Sequence, residues 1–251
     1  MKVIFVGSGS KGNATLFLSG DTLLEIDAGL HKKRVDSCLS SWNKSSRDLQ
    51  AIFITHNHSD HIKELSVIAK GKTPVYASEG TIEGLPIHPL FPGEGVDIGP
   101  FLIMPFSSHH DAPSPLNFVI FVEGMKIGYV TDTGFVDEEA LKLLKNCDYY
   151  VFESNYEPKM LESSQRPRWL KERIRGKSGH LSNQDCGRYL SKVIGEDTKG
   201  IYLAHLSEEC NDPDVAIASL EKYLKRVHRD SSNIVYLPLK QREAIETEMK
   251  K

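Results

Sequence analysis

Three imidazoles and a carboxylate fall within the six residues from His56 to His61, in the run Thr55-His-Asn-His-Ser-Asp-His61. Alternation along an extended chain points His56 and His58 the same way, while Asp60 and His61 fall where the chain turns into the next helix. The four side chains can therefore converge on one point as metal ligands. Two metals fit this cluster better than one. Imidazole and carboxylate without thiolate suit Zn²⁺, Mn²⁺ or a related divalent ion, and the donor set does not choose among them. The plain alternative is a polar loop that happens to be rich in histidine.

The element that must position the cluster is the apolar run Ala51, Ile52, Phe53 and Ile54, a strand of residues 51–54 that ends where the histidines begin. The same grammar recurs along the chain. A strand over 126–131 leads to Asp132-Thr-Gly134, one over 149–152 to Glu153-Ser-Asn155, and one over 201–204 to His205; Gly179-His-Leu-Ser182 precedes a helix over 183–194, with Ser182 as its N-cap. Chemistry collects at strand ends. Further strands are expected at 3–6, 14–18, 23–27, 74–77, 101–106 and 117–122, with Glu123-Gly124 as a hairpin turn, and a closing strand at 234–237. Helices are expected over 32–39, 62–69, 137–144 and 214–227. Short β-rich runs alternating with helical patterns suggest stacked mixed sheets with helices outside.

At 251 residues and 39% hydrophobic content the chain can bury a substantial core. No Ser/Gly linker, low-complexity block or repeat divides it, so residues 1–251 are read as a single domain. The opening run from Met1 to Val6 is too short for a signal peptide, and no stretch is long enough to span a bilayer, so no membrane partner is expected. Cys38, Cys147, Cys186 and Cys210 form no C-x-x-C pair, which points to a reducing cytoplasm. Cys210, five residues after His205, reads as a structural thiol.

A formal net charge of −3 does not advertise a polyanion partner, so any such partner must be met locally. The candidate segment for gripping one holds Arg166, Arg168, Lys171, Arg173, Arg175 and Lys177 around a single acid, Glu172. A solvated helix face accounts for it equally well. His31, His88 and His228 have no motif around them and read as surface or packing residues.

Strand-end His-x-His-x-Asp-His, a later His, Thr-Asp-Thr-Gly and a final strand-end His together resemble the metallo-β-lactamase fold hydrolases over nearly the whole chain. Ser8-Gly-Ser-Lys-Gly-Asn13, Ser108-His-His-Asp-Ala112, Glu153-Ser-Asn155, Gly179-His-Leu-Ser-Asn183 and Ala204-His-Leu-Ser-Glu-Glu-Cys-Asn211 narrow the likeness to the YycJ/WalJ-type branch. That branch is similar to ribonuclease Z and to the superfamily's phosphodiesterases. The resemblance implies an α/β (α+β) fold, a four-layer αββα sandwich of two mixed β-sheets flanked by helices. It also implies one metal on His56, His58 and His110, another on Asp60, His61 and His205, and Asp132 bridging both.

His109 and His110 compete for one ligand position, and the family pattern places the ligand directly before Asp-Ala, at His110. Asp60 would also orient the attacking hydroxide. His180, supported by Glu153, stands where the ribonuclease Z-like proteins carry a proton donor. For both residues a structural alternative stands beside this: a helix-start His packed on the sheet, and a strand-end salt bridge. Asn57 departs from the branch, which carries an acid there, at a position that is not a ligand. The chain lacks the large inserted domain of ribonuclease J and the protruding arm of ribonuclease Z, so substrate grip must be compact.

The leading expectation is a dinuclear-metal phosphodiesterase, a nuclease acting on nucleic acid and foremost on DNA, since the branch implies 5′ to 3′ exonuclease activity. Hydrolysis of a small cyclic phosphodiester with the same residues is the alternative. A metal-binding regulatory protein with little turnover is another, and thiolester hydrolysis fits the Glu153 and His180 pair least. Oligomeric state is not legible.

Overall fold

A computed structural model describes residues 1–70, 72–226 and 233–251. Fourteen strands among them form two mixed seven-stranded sheets. They are β1 (Lys2–Gly7), β2 (Ala14–Ser19), β3 (Thr22–Ile26), β4 (Ala51–Phe53), β5 (Val75–Ala77), β6 (His88–Pro89), β7 (Val96–Ile98), β8 (Phe101–Ser107), β9 (Leu116–Val122), β10 (Met125–Val130), β11 (Tyr149–Glu153), β12 (Gly200–Ala204), β13 (Val235–Pro238) and β14 (Ile245–Glu248). One sheet has the order β14-β1-β2-β3-β4-β5-β6 and the other β13-β12-β11-β10-β9-β8-β7. The helices are α1 (Lys32–Leu39), α2 (Ser59–Ile62), α3 (Leu65–Ala69), α4 (Glu138–Leu144), α5 (Pro158–Ser163), α6 (Arg168–Arg175), α7 (Asn183–Val193) and α8 (Pro213–Arg226). The chain groups into two compact units, residues 1–107, 112–125 and 240–251 in the first, and 108–111 with 126–239 in the second.

In the first unit β3, β4, β5 and β6 run parallel, so their C-terminal ends share one edge. Strand β4 is apolar throughout because both its faces are covered. Ile52 joins Leu23, Val35, Leu39 and Ile54 in a core in which Val35 and Leu39, one turn apart, supply the buried face of α1. Phe53, pointing the other way, stacks on Tyr76 at 4.8 Å and meets Phe118 edge-on at 6.0 Å. In the second unit β10, β11, β12 and β13 are likewise parallel. Asp137 caps α4 by accepting from the amide of Ala140 at 2.8 Å, and Ser182 caps α7 by accepting from that of Asp185 at 3.0 Å.

Two expectations needed correction. The helix expected over 62–69 is two short helices, because the amide of Glu64 bonds the carbonyl of Ala28 at 2.9 Å instead of continuing the helical ladder. Residues 234–237 do not close the sheet work: β14 follows and pairs antiparallel with β1. Its sequence Ile-Glu-Thr-Glu offers one aliphatic residue, too weak an alternation to read as a strand. Val227, the expected end of the last helix, and His228 lie outside the described residues. Among the described residues no helix is long and apolar enough to cross a membrane.

Candidate functional site

In the first unit the ligand candidates follow the C-terminal end of β4. His56 and His58 meet ring to ring at 4.6 Å, and His56 and His61 at 4.0 Å. Behind them sits Asp27, the residue after β3, fully buried and with φ of 60°. One of its oxygens takes the Nδ1 proton of His61 at 2.7 Å, and both accept from the hydroxyl of Thr55, at 2.9 and 3.0 Å. With its single proton spent on Asp27, the Thr55 hydroxyl accepts from Nδ1 of His56 at 3.0 Å. Both rings are thus fixed at Nδ1, which leaves Nε2 as the atom either ring could offer a metal, in His61 in place of its contact with the Asn13 amide. Asn13 completes the shell. Its side-chain amide lies 2.9 Å from Nε2 of His61 and 3.3 Å from a carboxylate oxygen of Asp60, and its backbone amide bonds the Asp60 carbonyl at 2.8 Å. Gly29 is obligatory here, since a Cβ would lie 1.6 Å from that same carbonyl oxygen.

The second unit gathers His110, Asp132, Glu153, His180 and His205. Ligand atoms of Asp132, Glu153, His180 and His205 all lie within 4.8 Å of one another. His205 directly follows β12 and Asp132 comes two residues after the end of β10; they have φ of 54° and 47°, left-handed conformations that cost roughly 1–2 kcal/mol each. Strain of this kind persists where the surroundings dictate it. Nδ1 of His110 donates to the Gly179 carbonyl at 2.9 Å, and Nε2 lies 3.8 Å from Asp132. Burial depresses the His110 pKa against the opposing pull of Asp132. His109 turns elsewhere: Nε2 bonds Asp137 at 2.8 Å and the ring stacks on Phe135 at 3.8 Å.

Glu153 is fully buried and its carboxylate meets Nδ1 of His180 at 2.7 Å. Burial alone would raise its pKa, but the charge and hydrogen bond of His180, with a further bond from His205, outweigh this and hold it below the usual carboxylate range. The other Glu153 oxygen accepts from the amides of Thr133, at 2.9 Å, and Leu181, at 3.3 Å, so the carboxylate is locked on both sides. Asn155 fixes His205 by donating to its carbonyl at 2.8 Å, with the same amide nitrogen 3.1 Å from Nδ1.

The basic segment meets more carboxylates than its own sequence contains. Arg166 pairs with Glu209, Arg168 with Glu172, Arg173 with Asp111 and Arg175 with Glu162, while Lys171 bonds the carbonyl of Glu162. Lys177 is exposed, and Trp169 on the same helix is 66% exposed. Cys210 packs in the core with Tyr156, Leu161 and Ile174, as a structural thiol does. Asp27, Asn13 and Asn155 are the residues that sequence reasoning missed. Asp27 ends a strand as the other site acids do, which was the available signal.

The β-lactamase superfamily domain matches residues 26–205, spanning every one of these ligand candidates. The chain belongs to the metallo-β-lactamase superfamily. It is 34% identical over 231 residues to the exodeoxyribonuclease YycJ of Bacillus anthracis, covering 88% of each chain. Among solved structures it resembles the metallo-β-lactamase fold protein YhfI of Bacillus subtilis, with a TM-score of 0.71 at 18% identity over 98% of this chain and 99% of that one. It also resembles the short form of human tRNase Z, with a TM-score of 0.64 at 17% identity over 98% of both. The metallo-β-lactamase fold therefore holds for this chain, with its two mixed sheets flanked by helices in the expected αββα class, and the protein is a hydrolase of that superfamily.

Proposed function

We propose that the protein is a dinuclear-metal phosphodiesterase that removes nucleotides from DNA in the 5′ to 3′ direction, residues 1–251 working as one hydrolase domain. His56, His58 and His110 would hold one ion, Asp60, His61 and His205 the other, and Asp132 would bridge them. The donor chemistry fits: imidazoles fixed through Nδ1, buried carboxylates and no thiolate suit Zn²⁺ or Mn²⁺. When bound, such a pair supplies an activated water nucleophile and neutralises charge on the phosphoryl oxygens during an in-line displacement. The superfamily gives hydrolysis, and the kinship with an exodeoxyribonuclease supports DNA as the substrate.

The observation that carries the choice of phosphodiester chemistry is the pair of Glu153 and His180. Glu153 accepts the Nδ1 proton of His180 and fixes the ring, leaving Nε2 as the atom that would carry a proton to the leaving oxygen. A 3′-alkoxide leaves poorly without a proton, and His180 can deliver it there; a thiolate leaving group has no such need. Asp60, part-exposed and steadied by Asn13, orients the attacking water. Arg166, Arg168, Lys171, Arg173, Arg175 and Lys177 would line the strand's path on balance with their acids, and exposed Trp169 adds a face on which a base can stack.

The test is a side-by-side assay of end-labelled double-stranded DNA, single-stranded DNA, RNA and cyclic nucleotides, each with Mn²⁺ and with Zn²⁺. Stepwise shortening of DNA from its 5′ end, abolished in His56→Ala, supports the proposal. Turnover confined to cyclic nucleotides would replace it with small-phosphodiester hydrolysis, and no turnover on any substrate would leave a metal-binding regulatory role.

A further inference from the structure

In the first unit lies a cavity of about 520 Å³ lined by Lys32, Ser46, Arg47, Lys70, Lys72 and Thr73. Ser46 and Arg47 belong to the short turn that precedes β4 and Thr73 lies just before β5, so these lining residues stand at the N-terminal edge of parallel strands whose C-terminal edge carries His56 to His61, while Lys32 begins α1. It is separate from the residues assigned to metals.

We propose that this cavity binds the phosphate of a nucleotide. Its rim is cationic and under-compensated: Lys32 is paired with Asp36, but Arg47, Lys70 and Lys72 have no ion-pair partner among the described residues. In a chain of net charge −3 that excess is local. Beneath the rim, Ser46 is 1% exposed, and its amide donates to the Asp36 carboxylate at 2.8 Å with its hydroxyl beside the same carboxylate.

A guanidinium fork, ammonium groups and the hydroxyls of Ser46 and Thr73 are donors that match a phosphate's acceptor oxygens. No lining residue is a carboxylate, which speaks against a cation. Buried Ile68 and Ala69 add an apolar wall, and the volume falls within the range of small-ligand sites, so a nucleoside monophosphate fits better than a bare anion. That nucleotide could be free or the terminal residue of a strand. Both offer the same phosphate chemistry.

The experiment is an amide-resolved NMR titration of the metal-loaded protein with inorganic phosphate, then with deoxycytidine monophosphate, then with a short single-stranded oligonucleotide, at constant ionic strength. Saturable shifts at the amides of Ser46, Ala69 and Thr73 are expected with phosphate, and tighter ones with the mononucleotide. The doubly substituted Arg47→Ser/Lys72→Ser protein, altered only at exposed side chains, should bind there at least about tenfold more weakly, with the charge-assisted bonds removed. Shifts from the oligonucleotide at the same amides identify strand termini as the source, and their absence identifies free nucleotides. No response at these amides to phosphate or mononucleotide, or a response unchanged in the double variant, would overturn the proposal. The readout is binding at a site away from the metals, so it stands or falls independently of nuclease activity.

Discussion

At the scale of single residues, the arrangement divides labour between side chains that would hold metal and side chains that hold those side chains. His180 is proposed to give a proton to the leaving oxygen, so His180→Ala should keep its metals and lose turnover in proportion to leaving-group difficulty. The loss should be on the order of 10²-fold or more on DNA, whose 3′-alkoxide needs an acid, and much smaller on bis(p-nitrophenyl) phosphate. Glu153→Gln should show a milder form of the same contrast, which paired rate measurements on both substrates can check; equal losses would mean placement and not proton transfer. Asp27 acts through His61 and Thr55. Asp27→Asn should weaken metal binding by about 10- to 100-fold, read by metal titration, and unchanged affinity would refute its positioning role. The side chains that the structure gathers into the two clusters were legible because histidines and acids at strand ends stand out by type and spacing. Asn13 and Asn155 were not, because an amide in a turn has many uses and only its partners reveal which applies.

At the scale of elements, both units place their clusters of histidines and acids where parallel strands end, and most of those strands were legible because they are short apolar runs buried on both faces. What escaped the sequence was decided by non-local hydrogen bonds, such as the Glu64 amide turned to Ala28, or by edge strands with little apolar content such as β14. Strand β3 also carries a liability. Glu25 is fully buried, its carboxylate oxygens have no hydrogen-bond partner among the described residues, and burial, reinforced by the charges of Asp27 and Asp36, raises its pKa well above the usual value. Below the unfolded-state pKa the group is protonated in both states. As pH rises past it, the unfolded chain releases the proton while the folded chain retains it, so folding stability falls until the folded-state pKa is reached. Glu25→Gln should therefore melt at a higher temperature than the wild type at pH 7, with the gain vanishing near pH 4. A gain independent of pH in thermal melts would show that the carboxyl's ionisation is not the cause.

At the scale of the whole molecule, the family membership and the two clusters both support the proposal that metal ions are part of the folded state. Asp27, Asp132 and Glu153 are buried carboxylates, and cations that bind only the native chain stabilise it by mass action, about 4 kcal/mol at a thousandfold excess over Kd. Stripping the metals with a chelator should lower Tm by on the order of 10 °C, and restoring them should recover it. A melting curve indifferent to chelation would mean that the clusters bind no metal with useful affinity. The most direct measurement of the central claim titrates metal-free protein with Mn²⁺ or Zn²⁺ while following nucleotide release from end-labelled DNA. The account predicts no release without metal and a rise that levels off near two equivalents. Release that persists without metal, or none at any metal level, would contradict it.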